Sequence, residues 1–147
     1  MLNTILFSIF TEIQHIFMKL GFPKEEKLKS KKCIEQLFSE GNSVSKFPLR
    51  LVFTATNLPT DVPIQAGFSV TKRNFKKAVT RNRIKRLMRE AYRLNKNDVF
   101  NKISTTYAFM FLYIGKQEPT FEEIEKSMIR LLQKFVEKTE ATITPEK

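Results

Sequence analysis

Thr80-Arg-Asn-Arg-Ile-Lys-Arg-Leu-Met-Arg-Glu-Ala-Tyr92 is the stretch on which the fold turns. Ile84, Leu87, Met88 and Ala91 recur at helical spacing and predict an amphipathic helix. Thr80 is placed to cap its start, and the stripe runs to about Leu94. The rest of the stretch is cationic. From Lys72 to Lys96, eleven of the 26 Lys+Arg residues fall in 25 positions, and Glu90 is the only acid among them. A solvated helix face normally mixes charge signs. Like charges four apart, such as Arg81, Lys85 and Arg89, cost a few tenths of a kcal/mol per pair. A chain that tolerates this repulsion is expected to meet counter-charge from a partner.

Working upstream, Lys72 to Val79 is a basic connector. Ile64 to Thr71 reads as a strand with Ala66, Phe68 and Val70 on one face, and Gly67 marks a bulge or a close backbone approach. Asn57 to Pro63 is a loop of turn formers. Leu49 to Thr56 is a second strand, in which Leu49, Leu51 and Phe53 alternate with Arg50, Val52 and Thr54. Ser43 to Ser45 is a brief extended stretch. Ile34, Leu37 and Phe38 give a short helix from about Ser30 to Glu40, with Gly41 as a left-handed stop.

Downstream, Thr105 to Ile114 is a continuous apolar and aromatic run, suited to a strand buried on both faces. Gly115 ends it. Thr120 with Glu123 forms a capping box. Phe121, Ile124, Met128, Leu131, Leu132 and Phe135 then line an amphipathic helix, followed by a polar tail from Thr139 to Lys147. The sum is a single α+β domain, a small sheet covered by helices on one side.

Composition narrows the function. The 147 residues carry a formal charge of +11 with 41% hydrophobic residues and 14 Phe, which describes a folding chain with a polyanionic partner. One cysteine, Cys33, and one histidine, His15, exclude an internal disulfide, a Cys-built zinc site and most His-based catalysis. Cys33 reads as a small helix residue. Residues 1–17 hold no Lys or Arg, and Glu12 is their only charge. Leu6, Ile9, Phe10, Ile13 and Phe17 recur at helical spacing there, but the stretch is too short and interrupted for a membrane span. Nor does it have the positive start of a secretory signal. Met18 therefore reads as the natural start, or 1–17 as a dispensable extension. An amphipathic membrane anchor is the competing reading, and it would want a basic polar face.

The cluster suits folded RNA. Guanidinium forks match pairs of phosphate oxygens, Asn82 can donate and accept, and a helix N-terminus attracts anions. Such an array reads shape more than bases. Phe38 and Phe53, at helical and strand spacing, read most simply as core packing. Tyr92 is open between core and RNA face. No paired carboxylates, nucleophile–base pair or metal-ligand spacing is present. By itself the cluster reads as an RNA-binding surface.

These residues resemble a family. Thr80 to Tyr92, with Arg81-Asn82-Arg83 followed by Ile84-Lys85-Arg86-Leu87, is similar to the signature of the bacterial ribonuclease P protein component. Gly67-Phe-Ser-Val-Thr-Lys-Arg73 resembles the family's strand and connector, and Leu28-Lys-Ser-Lys-Lys32 with Phe38 and Gly41 resembles its first helix. The likeness runs from about Phe22 to Phe135 and has no counterpart for 1–17. It implies an α+β fold with a four-stranded sheet, αβββαβα order and a left-handed βαβ crossover, similar to the second domain of ribosomal protein S5. It implies a cytoplasmic protein subunit that binds a catalytic RNA and precursor tRNA, so that the 5′ leader is removed by endonucleolytic cleavage. The RNA, not the protein, would hold the catalytic Mg²⁺, and no catalytic residue, protein-bound metal, membrane or obligate protein partner is implied. Arg81, Asn82, Arg83, Lys85, Arg86 and Arg89, with Arg73, Lys76 and Lys77, would dock the RNA subunit. Ile34, Phe38 and Phe53, with Lys72 nearby, would line a cleft for the leader. Ile34 stands where the family usually has an aromatic residue. Val52 competes with Phe53, because the match there needs a one-residue shift near Phe47-Pro48.

Overall fold

A computed structural model describes residues 3–9, 21–59 and 61–143. Four strands, β1 (Asn42–Lys46), β2 (Leu49–Ala55), β3 (Ile64–Val70) and β4 (Tyr107–Tyr113), form one sheet in the order β1-β2-β4-β3. β1 pairs antiparallel with β2 and β2 antiparallel with β4, whereas β3 and β4 are parallel. Three helices pack on it: α1 (Lys31–Glu40), α2 (Ala78–Phe100) and α3 (Phe121–Ile143). A short 3-10 turn, Lys24–Glu26, precedes α1. The chain order is thus αβββαβα. Residues 3–9 are helical and exposed, and the expectations for Phe10, Ile13, His15, Phe17 and Met18 lie outside the described residues.

β4 takes the central position because neither of its faces is polar. Tyr107, Phe109, Phe111 and Tyr113 enter the main core with Leu49, Leu51, Phe53, Ile64, Ile84, Met88 and the apolar stripe of α3. Phe135 of α3 sits within 4.7–5.1 Å of the rings of Phe53, Tyr107 and Phe109, in edge-on contacts. The alternate residues Ala108 and Met110 join Val52, Leu28 and Leu37 in a second cluster under α1. Helices therefore cover both faces of the sheet, not one: α2 and α3 one side, α1 the other. The continuous apolar run of β4 already requires this arrangement.

Several details differ from expectation. α2 begins at Ala78, with Lys77 at the N-cap and no capping side chain, so Thr80 lies inside the first turn. It ends at Phe100 rather than near Leu94, because Tyr92, Lys96 and Val99 continue its buried face. Gly41 closes α1 in extended conformation, φ −71°, rather than left-handed. Glycine is needed there for close approach, since a Cβ would lie 2.3 Å from the Leu37 carbonyl oxygen. β3 runs in unbroken register past Gly67 with no bulge, and it is the close-approach reading that holds, since a Cβ there would lie 2.9 Å from Met110 Cε. Thr120 caps α3 as expected, accepting from the Glu123 N–H, and Ser30 caps α1 by accepting from the Cys33 N–H. α3 continues through the expected polar tail as far as Ile143, with Thr139 buried and bonded to the Phe135 carbonyl.

Lys96 explains the length of α2. Its side chain is 1% exposed, and its Nζ lies 2.6 Å from Glu26 Oε1 and also donates to the Gly21 carbonyl. The Phe22 and Phe100 rings flank the ammonium at 5.8 and 5.5 Å. This pair anchors the segment before α1 to α2, and Leu28 N–H donates to Ala66 of β3 beside it. The neighbouring Tyr92 is fully buried and belongs to the core, its hydroxyl without a hydrogen-bond partner among the described residues. Burial, and secondarily the Glu26 charge, push the Tyr92 phenol well above its ordinary pKa.

Lys96→Met should cost about 3–5 kcal/mol, because it strands the Glu26 carboxylate in the interior. Urea unfolding at neutral pH measures this, and adding Glu26→Gln should restore much of the loss. Tyr92→Phe, which removes a hydroxyl with no partner, should be neutral or mildly stabilising in the same assay.

Candidate nucleic-acid interface

α2 has two opposed faces. Ile84, Met88, Ala91 and Tyr92 are buried against the sheet, and Asn82, Arg83, Arg86 and Arg89 are exposed. Asn82, Arg86 and Arg89 stand at i, i+4 and i+7, and so share one face. Lys85 is half-buried on the flank, and Lys76, Lys77 and Arg73 are exposed on the connector. The expected cation array is therefore assembled on one side of the molecule by the burial of the helix's apolar side.

Its members are not equivalent. Arg81 is half-buried, and its Nη1 donates to the carbonyls of Phe75 (2.9 Å) and Lys76 (2.8 Å). This contact folds the connector back onto the helix start, and the first N–H groups of α2 have no side-chain cap. Arg83 Nη1 reaches Glu118 of the β4–α3 loop at 3.1 Å, with both side chains largely exposed. Such a surface pair is weak and can be exchanged for a phosphate. Arg89 lies 5.8 Å from the Phe68 ring centroid, a contact that leaves its N–H groups available. Arg93 forms a two-point pair with Glu90. That bond holds the Glu90 carboxyl below and the Arg93 guanidinium above their ordinary pKa values. The one acid of the basic stretch is thus matched to its own arginine, and the face toward the N-terminus of α2 stays cationic.

The opposite side of the sheet carries the second candidate surface. α1 covers Val52, Ala108 and Met110, with Ile34 half-buried at its edge. The adjacent rung, Arg50–Leu112–Ser69, is left open: Arg50 is exposed and the other two are half-buried. Phe38 is 57% exposed on α1, so it is not core packing. Phe53 does not join Ile34 and Phe38. It is 4% exposed and packed against Tyr107 and Phe135 on the far side of the sheet. The strand's period of two turns Val52 to the α1 side, and the same parity places Arg50 there. Sequence reasoning passed over Arg50, although its alternation with Val52 was the available signal. Lys72 is exposed two residues beyond the end of β3.

Comparisons with known proteins bear on this geometry. A family model described as Ribonuclease P matches residues 22–136. The chain belongs to the ribonuclease P protein family. A ribonuclease P protein component from Porphyromonas gingivalis is 36% identical over 115 residues, covering 76% of this chain and 84% of that protein. One from Chlorobium phaeobacteroides is 36% identical over 122 residues, covering 74% and 84%. Solved ribonuclease P proteins share the fold. That of Staphylococcus aureus has a TM-score of 0.59 at 22% identity, covering 76% of this chain and 96% of its own. That of Thermotoga maritima has 0.59 at 23%, covering 74% and 96%. The family match spans the described sheet and most of all three helices. Among the described residues, no helix is long and apolar enough to cross a membrane.

Arg81→Ala should lower the stability of the free protein by about 1–2 kcal/mol, since it releases two connector carbonyls from a charged donor. Arg86→Ala should leave the unfolding midpoint unchanged. Thermal unfolding monitored by circular dichroism separates the two.

Proposed function

We propose that this chain is the protein subunit of a ribonuclease P ribonucleoprotein, which removes the 5′ leader of precursor tRNA to give the mature 5′ end. The observation that carries the reading is the single-sign face of α2, rigidly mounted on a buried core in a chain of this family. In this account Asn82, Arg83, Lys85, Arg86 and Arg89 dock the catalytic RNA, with Arg73, Lys76 and Lys77 extending the contact. Arg81 orients the connector as well as contributing charge. The RNA backbone is met as a shape, through phosphates, as a rigid cation array favours.

The leader lies on the other face. Ile34 and Phe38 of α1 and the open rung beside Val52 make an apolar and cationic groove, to which Phe53 contributes nothing. Phe38 offers a ring on which any base can stack, and Arg50 and Lys72 supply charge for the backbone. A sequence-tolerant surface suits a leader that differs from one tRNA to another. Among the described residues, no three His, Cys, Asp or Glu side chains gather to hold a metal ion. In this account the Mg²⁺ of the reaction is held by the RNA, as the family resemblance implies. The protein's contribution is to bind, align and screen charge.

The test is precursor-tRNA cleavage by the cognate catalytic RNA at low Mg²⁺, with and without this protein. Strong stimulation that yields mature 5′ ends is expected. A folded protein that binds the RNA yet gives no stimulation would reduce it to a non-catalytic RNA-binding module. Phe38→Ala should weaken holoenzyme affinity for precursor relative to mature tRNA by about fivefold or more, the lower bound for one base stack. Assembly with the catalytic RNA should be unaffected. Equal losses for both tRNAs would make Phe38 structural.

A further inference from the structure

Cations on the docking side also come from outside α2 and its connector. An open hollow between the connector and the β4–α3 loop is lined by Thr71, Arg73, Asn74 and Lys116. Lys116 lies in no part of the basic stretch, and the fold brings it there. Its loop is held in several places. Ile114 N–H donates to the Pro48 carbonyl at 2.8 Å. Asn74 Nδ2 donates to the Gly115 carbonyl at 3.4 Å, which ties the loop to the connector. The Tyr113 hydroxyl donates to the Gln117 carbonyl at 2.5 Å. Arg83 of α2 pairs with Glu118 two residues beyond Lys116. A Cβ at position 115 would lie 2.7 Å from the Tyr113 hydroxyl oxygen, which its own hydrogen bond keeps in place. Only glycine lets the chain take this path.

The loop thus presents Lys116 from a fixed backbone across from Arg73. Among the described residues neither cation has an acidic partner, and the loop's one acid, Glu118, faces Arg83. Two cations converging from separate segments, with an amide and a hydroxyl between them, form the donor set of a phosphate site. The bond from Arg83 to the same loop makes the hollow continuous with the N-terminal end of the α2 face.

We propose that this hollow is a phosphate subsite. Lys116 and Arg73 together hold one backbone phosphate of the catalytic RNA, so that docking reaches beyond the signature helix onto the β4–α3 loop. The proposal rests on the docking role given to α2 above.

The test measures binding of a transcript of the cognate catalytic RNA to wild-type protein and to Lys116→Ala, Arg73→Ala, the double variant, Lys116→Arg and Arg86→Ala, over a series of monovalent salt concentrations. Lys116→Ala should weaken binding severalfold and flatten the plot of log K against log salt by about 0.7–0.9, the effect of one lost phosphate contact. Lys116→Arg should retain affinity, and the double variant should be little worse than the weaker single. Unchanged affinity for Lys116→Ala alongside a loss for Arg86→Ala would overturn the subsite and leave the docking face intact. Unchanged affinity for both would overturn the docking reading itself. Fully additive losses would mean two separate phosphates and overturn the shared site. In a second arm the assembled holoenzymes bind precursor tRNA. A defect confined to that arm would assign the phosphate to the substrate and contradict the proposal.

Discussion

Strand β4 has no face that tolerates water, and the rest of the molecule is arranged to meet that constraint. Tyr107, Phe109, Phe111 and Tyr113 need a cover on one side, and Ala108 and Met110 on the other. Two long helices supply the first and the short α1 supplies the second. Both polar surfaces follow from this. Burying Ile84, Met88 and Tyr92 forces Arg83, Arg86 and Arg89 outward, where their mutual repulsion is held by the packing beneath them. Because α1 is short, it leaves the Arg50–Leu112–Ser69 rung open and Phe38 in solvent at its rim. A single central strand thus separates two candidate RNA-facing surfaces.

The basic stretch divides its labour in a way that residue type alone does not reveal. Arg81 shapes the connector, Arg93 answers Glu90, and Lys96 is buried altogether. What remains for a polyanion is narrower than the eleven cations counted along the chain, but it is more rigidly placed. Rigidity matters for reading a folded RNA, because long flexible cations lose entropy on binding that a pre-set array does not.

The elements most legible in the sequence were those with one dominant period. The β4 run, the apolar stripe of α2 and the Thr120 capping box each declared itself locally. The failures were tertiary. Lys96 reads as a surface residue and breaks the stripe, so α2 seemed to end early; only the distant Glu26 makes its burial tolerable. Thr80 was read as the cap, but α2 starts at Ala78 behind an uncapped Lys77, and Arg81 binds the connector carbonyls just upstream. Gly41 was read for conformational freedom when the Leu37 carbonyl demanded proximity. Phe53 was placed with Phe38 by a family match that needs a one-residue shift near Phe47-Pro48, with Val52 as the competitor. Strand parity, visible in the alternation of Leu51, Val52 and Phe53, sends it to the other core. Family resemblance supplied the roles, and the backbone assigned the faces.

The central claim is that the two faces meet different RNAs. Directed cleavage by an iron–EDTA probe tests it most directly, with the probe tethered to a single cysteine in a Cys33→Ser background of the assembled ribonucleoprotein bound to precursor tRNA. A probe at Arg86→Cys should cut the catalytic RNA and spare the leader. A probe at Ser69→Cys, on the open rung, should cut the precursor's 5′ leader. Cuts from both positions in the same RNA segment would contradict the two-faced account.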